Sequence, residues 1–349
     1  MEITVNNVNE ALSEALMKFA INGQPEHSRN GDCLVYPEPV LTTYLRPQER
    51  VLFSPRRNAN PWFHLFESLW MLAGRHDVAW ITQYNSQFKQ FSDDGVTFHG
   101  AYGHRWRQYF MRDQLVWIMH ELLKNPESRR VVLSMWDPFV DPEYVQQRGK
   151  DAPCNTHAYV DCRNGVLNLT VCCRSNDVWW GAYGSNAVHF SVLQEVLAAM
   201  VGVPVGVYRQ FSNNLHIYYA TVPQAHSAEQ LKELSFEVER NNEYISTACE
   251  ITPYPVVGNT PIDLWFEDLA QFMHNPLVSE RFAWRSNFFK NVAAPMAEAW
   301  NARKNKTSTG IDWVGNIAAT DWQRACIGWI QRKEAARGAT GTQTEQGIA

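Results

Sequence analysis

Residues 151–178 read Asp-Ala-Pro-Cys-Asn-Thr-His-Ala-Tyr-Val-Asp-Cys-Arg-Asn-Gly-Val-Leu-Asn-Leu-Thr-Val-Cys-Cys-Arg-Ser-Asn-Asp-Val. Two β-prone runs, His157–Cys162 and Val166–Arg174, flank Arg163-Asn164-Gly165. Asn-Gly between such runs is a strong hairpin signal, because both residues accept positive φ. In the second run Leu167, Leu169 and Val171 alternate with Asn168, Thr170 and Cys172, the period-two pattern of a strand with one apolar and one polar face. Arg174 falls on the polar face, so it can look into a cavity rather than the core. Upstream, Pro153-Cys154 puts a thiol where a polar loop meets the strand. Such boundaries face clefts more often than strand middles do, although a lone Cys is ordinarily a small buried hydrophobe.

Working outward, apolar residues recur at helical spacing over residues 7–22, Pro61–Leu72, Met111–Lys124 and Asn186–Val201. Val131–Trp136 and Val203–Phe211 read as strands, with a short β-prone run at Val51–Phe53. Residues 28–60 are otherwise rich in Pro, Arg and Asn. Strands and helices joined by hairpins and crossovers predict an α/β (α+β) fold, a mixed β-sheet packed by helices. No repeat or Pro/Ser-rich linker breaks the chain, so residues 1–337 read as one domain. Further helices are expected near Ser279–Arg303 and Ala319–Ala335, and the small polar tail 338–349 is expected to be disordered.

The bulk properties exclude several classes. With 45% hydrophobic and 19% charged residues, the 349-residue chain can bury a sizeable core. A net charge of −5 argues against a broad nucleic-acid-binding surface. Seven Cys without a C-x-x-C pair form neither a disulfide framework nor a zinc signature, and no metal is expected. The N-terminus has no basic region followed by an apolar run, and no stretch approaches a membrane span. These features lead to the expectation of a soluble, cytoplasmic protein. The 14 Trp are mostly core material, but such rings also make stacking walls for flat ligands.

Several arginines accompany the thiol. Arg29 lies in a polar loop, Arg129-Arg130 follow Pro126-Glu127-Ser128, and Arg174-Ser175 end the polar strand face. Guanidinium groups and a serine hydroxyl can bind a phosphate dianion through forked, charge-assisted hydrogen bonds. A thiol among guanidinium groups is expected to have a lowered pKa and more nucleophilic character.

Taken in order, these segments resemble the thymidylate synthase family, which includes pyrimidine hydroxymethylases. The resemblance lies in Pro153-Cys154, Cys173-Arg174-Ser175-Asn176-Asp177-Val178, Gly181, Asn186 and His216-Ile217-Tyr218. It extends to Phe63–Gly74 with Glu67, Ala101–Trp106 with Tyr102, and Pro126–Arg130. It covers about residue 28 to about residue 275, and the helical extension beyond is outside it. The resemblance implies a thymidylate synthase-like fold and a homodimer with arginines shared across the interface. The substrates it implies are a deoxypyrimidine monophosphate and 5,10-methylenetetrahydrofolate. Cys154 would add to C6 of the pyrimidine, with Tyr102 and Asn155 beside it. Arg29, Arg174 and Ser175 would hold the phosphate, with Arg129 and Arg130 reaching it from the partner subunit. Asn186 would read the pyrimidine edge, and His216 and Tyr218 would hold the 3′-hydroxyl. Glu67 would relay protons, and Asp177 would contact the folate.

Thiolate addition at C6 makes C5 an enolate-like carbon able to attack the folate methylene group. After tetrahydrofolate leaves, hydride capture gives a methyl group and water capture a hydroxymethyl group. Asn155 stands where synthases usually carry His. Tyr84–Phe91 lacks the tryptophans that synthases place near the folate, with Phe88 and Phe91 as candidate substitutes. The loop before Asn186 is one residue longer than usual. These departures resemble the hydroxymethylase branch. Asn186 suits the O4/N3–H edge of uracil, so hydroxymethylation of dUMP is the leading expectation. Methylation of dUMP and hydroxymethylation of dCMP remain alternatives. A cysteine hydrolase would need a histidine near Cys154, but His157 is on the opposite strand face. A non-catalytic nucleotide- or RNA-binding module would not need Cys154 and Glu67.

Overall fold

The computed structural model describes residues 1–245, 251–277, 284–308 and 310–345, with side chains described through Ala336. Its strands are β1 (Glu2–Val5), β2 (Gln24–Ser28), β3 (Gly31–Val35), β4 (Val40–Tyr44), β5 (Val132–Ser134), β6 (Asn155–Arg163), β7 (Val166–Cys173), β8 (Asn176–Asp177), β9 (Val205–Ser212) and β10 (Leu215–Tyr218). The larger sheet has the order β1-β4-β9-β7-β6-β5 and the smaller β2-β3-β10-β8. Both are mixed. In the larger sheet, β7 runs antiparallel to β6 and parallel to β9. Asn164 and Gly165 take φ of 56° and 73°, as the hairpin between β6 and β7 requires.

The helices used below are α1 (Val8–Asn22), α2 (Pro61–Leu72), α3 (Gln114–Lys124), α4 (Asn186–Val201), α5 (Ala228–Arg240), α6 (Ile262–His274), α7 (Ala294–Lys304) and α8 (Thr320–Glu345). Asn60 caps α2 by accepting from the Phe63 N–H, with Pro61 in the first turn. Every residue of α2 is buried, and α4 is buried almost throughout. A helix apolar on all sides belongs at the centre of a large core. The two pack together there; His64, Glu67, Asn186 and His189 line the interior cavities, while Gln194 donates to the Leu167 carbonyl and Glu195 pairs with Arg50.

The mixed sheet packed by helices is the architecture read from the sequence. The differences have local causes. β3 and β4 arise in the stretch read as mostly irregular, and β2 just before it, in residues assigned to no element. Gln-Pro-Glu-His-Ser of β2 has no apolar alternation and is held by pairing with β3. Val51–Phe53 forms no strand, since the Val51 N–H donates to Tyr244 Oη and the Phe53 N–H to Asn9 Oδ1. α3 starts at Gln114 rather than Met111, because Asp113 caps it while Met111 sits at φ 56°. In the extension, residues 278–283 lie outside the described residues; a π-helical turn over Phe289–Ala293 leads into α7. α8 continues to Glu345, past the start of the tail expected to be disordered, and only residues 346–349 of that tail lie outside the described residues. Once nucleated, a helix propagates cheaply through residues such as Ala335 and Ala336.

The extension shares the main core. Trp62 of α2 lies 5.5 Å, centroid to centroid, from both Trp300 of α7 and Trp329 of α8. Among the described residues no helix is long and apolar enough to cross a membrane. The described residues also contain no group of three or more His, Cys, Asp or Glu that could hold a metal ion.

Candidate active site

Cys154 sits at the entry to β6, where the ladder is irregular between Asn155 and His157. Its backbone N–H and that of Asn155 both donate to Tyr102 Oη at 3.0 Å. Tyr102 is seated by the next residue, Gly103, where a Cβ would run into the Met71 carbonyl. Arg174 folds back over the thiol. Its Nε donates to the Pro153 carbonyl at 2.9 Å, and Nη2 lies 3.9 Å from Cys154 Sγ. Burial nevertheless pushes the Cys154 thiol up, with Arg174 acting against that and Asp151 reinforcing it. The lowered pKa expected from neighbouring guanidinium groups is therefore corrected: among the described residues Arg174 is the guanidinium that lowers it, and desolvation outweighs that effect.

The loop before Cys154 is anchored by a buried ion pair. Arg105 donates to both carboxylate oxygens of Asp141, at 2.7 and 2.8 Å, and to the Met135 carbonyl. His99, bonded to the same carboxylate, stacks on Tyr144, whose hydroxyl accepts from the Asp151 N–H. Asp151 accepts from the Gly100 N–H at 2.7 Å, and its carboxyl is pushed up to about 7 by burial.

Behind the thiol runs a chain of amides. Asn155 Nδ2 donates to Asn186 Oδ1 at 3.2 Å, Asn186 Nδ2 to Asn176 Oδ1 at 3.1 Å, and Asn176 Nδ2 to Ser212 Oγ at 2.9 Å. The loop before Asn186 carries a non-helical kink at Tyr183-Gly184, and Asn186 reaches Asn155. A cavity of about 180 Å³ opens here, lined by Glu67, Tyr102, Asp151, Asn186 and His189 among others. Glu67 is 7% exposed, and its Oε2 lies 3.1 Å from Nε2 of His189, one helical turn beyond Asn186.

The smaller sheet brings further residues to this region. β10 pairs His216 with Asp177 of β8, and Tyr218 with Cys33 of β3. Burial holds the His216 imidazole below its ordinary value, with Nδ1 bonded to Asn214 Oδ1 at 2.9 Å. Burial pushes Asp177 up to about 6. Arg29 is exposed at the turn between β2 and β3, where neighbouring Asn30 donates to Tyr218 Oη. Ser175 follows Arg174 directly. Arg129 and Arg130 do not join this group. They line a surface groove with Arg163, at the opposite end of β6 from Asn155. The eight steps of that strand span about 26 Å at roughly 3.3 Å per residue.

A second cavity, about 880 Å³, adjoins the first; Phe88 and Ser185 line both. Its aromatic walls include Phe88 and Phe91, but the tryptophans come from elsewhere: Trp180, Trp300 and Trp329. Buried Arg57 lies with its Cζ 4.8 Å from the Trp180 ring centroid. Burial holds His64 well below its ordinary value, with Arg57 and His189 adding to the effect. Sequence reading missed Arg57, His64 and His189. The signal available for each was a polar residue inside, or just before, an otherwise apolar helix.

A thiol beside a guanidinium group, an oriented amide chain and a cavity lined by a carboxylate are thus brought together in one region of the fold. Residues 22–247 match the thymidylate synthase family, and the chain belongs to it. It is similar to the deoxyuridylate hydroxymethyltransferase of Pseudomonas phage M6, at 44% identity over 96% of this chain and 95% of that protein. It is also similar to the deoxyuridylate hydroxymethyltransferase of Bacillus phage SP01, at 40% identity over 52% of this chain and 49% of that one. A putative thymidylate synthase of Methanothermobacter marburgensis is 28% identical over 64% of this chain and 96% of its own length.

Proposed function

We propose that this enzyme transfers the methylene group of 5,10-methylenetetrahydrofolate to C5 of dUMP, and that water capture yields 5-hydroxymethyl-dUMP for DNA containing modified thymine. The observation that carries this reading is the Cys154 thiol beside Arg174 at one end of the Asn155–Asn186–Asn176 chain. Beyond its two bonds, Asn186 keeps an N–H and a carbonyl lone pair, the combination that uracil O4 and N3–H require. Arg174, Ser175 and Arg29 hold the phosphate, and His216 and Tyr218 the 3′-hydroxyl. Asp177, which accepts from the N–H of the cavity-lining Trp180, contacts the folate.

Cys154 adds to C6, giving up its proton as it does so, and charge moves onto O4 beside the amide chain. C5 then bonds to the folate methylene carbon. Glu67 serves proton transfer at the ring, including removal of the C5 proton. Loss of tetrahydrofolate leaves a methylene group on C5. Water adds to that carbon and loses a proton, and the C6–S bond breaks to release Cys154 and product. His189, with Nε2 3.1 Å from Glu67 Oε2, accepts the water's proton in this reading.

The enzyme works as a homodimer. The outer face of the larger sheet exposes Val132 and Tyr159, at 38% and 48%. A second copy on that face lets Arg129 and Arg130 of one subunit close on the phosphate held by Arg174 of the other.

With 5,10-methylenetetrahydrofolate, the protein is expected to release tritium from [5-³H]dUMP and to form 5-hydroxymethyl-dUMP by mass, with both signals lost in Cys154→Ala. No release from dUMP or dCMP overturns the reading. Release with dTMP as the product overturns the water-capture branch.

A further inference from the structure

Among the described residues two carboxyl groups line the smaller cavity, Glu67 and Asp151, and only the first has a part in the steps above. Asp151 is held in place from two sides. Its Oδ2 accepts from the Gly100 N–H at 2.7 Å, and its own N–H donates to Tyr144 Oη at 3.0 Å. Gly100 permits this approach, because a Cβ there would come within 2.5 Å of the Asp151 carbonyl. Two residues on, Tyr102 fastens the N–H groups of Cys154 and Asn155. One segment thus fixes both the carboxyl and the thiol. Oδ1 of Asp151 makes no hydrogen bond among the described residues, which leaves it for a ligand. Burial pushes this carboxyl up to about 7, with Asp93 and Glu67 adding to the effect and the Gly100 N–H and Arg105 opposing it. Near neutral pH it therefore starts the reaction with a proton to give in about half of the molecules.

Phe88 lines both cavities and packs on Phe98 of the smaller one, with ring centroids 4.8 Å apart. A folate ring system in the larger cavity therefore presents its N5–methylene end to the smaller one. We propose that Asp151 is the general acid for tetrahydrofolate departure, protonating N5 as the bond from N5 to the methylene carbon breaks. This rests on the folate reading above and adds a catalytic residue to it. After Glu67 has removed the C5 proton, the ring electrons form the double bond between C5 and the methylene carbon. The pair from the breaking carbon–nitrogen bond stays on N5 and takes the Asp151 proton. The leaving nitrogen and the entering oxygen occupy the same carbon in turn, so the carboxylate left behind accepts a hydrogen bond from the entering water. The water's proton passes to His189 and on to solvent, from which Asp151 is protonated again. The net result is one proton moved from water to tetrahydrofolate, as the products require.

The test uses Asp151→Asn in the full chain, because the amide keeps an acceptor for the Gly100 N–H but has no acidic proton. Steady-state tritium release from [5-³H]dUMP should fall by about 100-fold, the lower end for loss of a general acid. Mass spectrometry of the denatured variant, quenched during turnover, should show a covalent complex carrying both nucleotide and folate, which the wild-type protein does not accumulate. 5-Fluoro-dUMP provides the control for folding and for the earlier steps. Its fluorine cannot leave C5 as a cation, so the reaction halts before Asp151 acts. Variant and wild-type protein should therefore form the same covalent complex from it with 5,10-methylenetetrahydrofolate. Turnover within about threefold of wild type overturns the proposal, being far short of the loss expected for a general acid. An accumulated adduct that carries the nucleotide and methylene group without the folate also overturns it, as does failure to form the 5-fluoro-dUMP complex. If the wild-type protein itself releases no tritium, the transfer reading fails and the proposal falls with it.

Discussion

At the scale of single residues, proton affinity in the site is governed by burial. Desolvation raises the Cys154 thiol, and Arg174 supplies the opposing stabilisation of the thiolate. Removing that charge should raise the thiol further. Iodoacetamide labelling of Cys154, followed by peptide mass spectrometry, should therefore speed up with pH through the alkaline range. In Arg174→Ala it should be several-fold slower at any given pH, by about the factor that a partly screened charge contributes. Unchanged or faster labelling in the variant would remove Arg174 from this role. Asp151 makes a second case. Its carboxyl lies at about 7 in the fold, against an ordinary 3.8. The folded state holds this proton more tightly than the unfolded chain. The stabilisation is therefore complete below about pH 4 and is lost as pH rises toward 7. Asp177 and Asp321, each at about 6, act in the same direction. Asp151→Asn should reduce the decline in stability between pH 4.5 and 7.5 by about 2–4 kcal/mol, measured by urea unfolding. An equal decline in the variant would show that Asp151 does not carry it. Sequence reading located Cys154, Arg174 and Asn186 on polar boundaries, but gave the thiol shift the wrong sign. That sign depends on the surrounding burial, which no local pattern encodes.

At the scale of elements, period and caps made much of the chain legible. α2, α4 and the hairpin of β6 and β7 carry their own signals: Asn60-Pro61 at a helix start, continuous apolar surface, and Asn164-Gly165 at the turn. β2 carries none, since its exposed polar residues become a strand only by pairing with β3. The pairing of Glu67 with His189 was equally hidden, because it depends on how α2 lies against α4. The extension was visible as helices but not as a wall of a cavity. Its integration with the core makes a further prediction. Ile330 is fully buried on the helix that brings Trp329 against Trp62. Ile330→Ala should destabilise the protein by about 2–5 kcal/mol, the range for emptying a buried aliphatic site. Unfolding should remain a single transition with an unchanged denaturant slope. A separate early transition confined to the extension would instead mark α7 and α8 as an independently stable appendage.

At the scale of the whole molecule, the two groups of arginines lie too far apart to meet one phosphate within a chain. Arg174 lies against Cys154, while Arg129 and Arg130 share their groove with Arg163. The proposed two-fold pairing of sheets would bring each group to its counterpart in the other copy, because the same patch meets itself. The exposed apolar residues Val132 and Tyr159 lie on the face that such pairing would cover. In the proposed dimer each active site would be built from two chains, and two defective chains would repair one another. Cys154→Ala keeps its arginines but has no nucleophile. The double substitution Arg129→Ala, Arg130→Ala keeps the nucleophile but lacks the arginines given to its partner. Refolded together in equal amounts, half of the dimers are mixed, and each mixed dimer regains one complete site. Tritium release should therefore recover to about one quarter of the wild-type value per site, although each variant alone is far below that. If mass measurement shows mixed dimers and activity does not recover, the arginines act within their own chain or not at all.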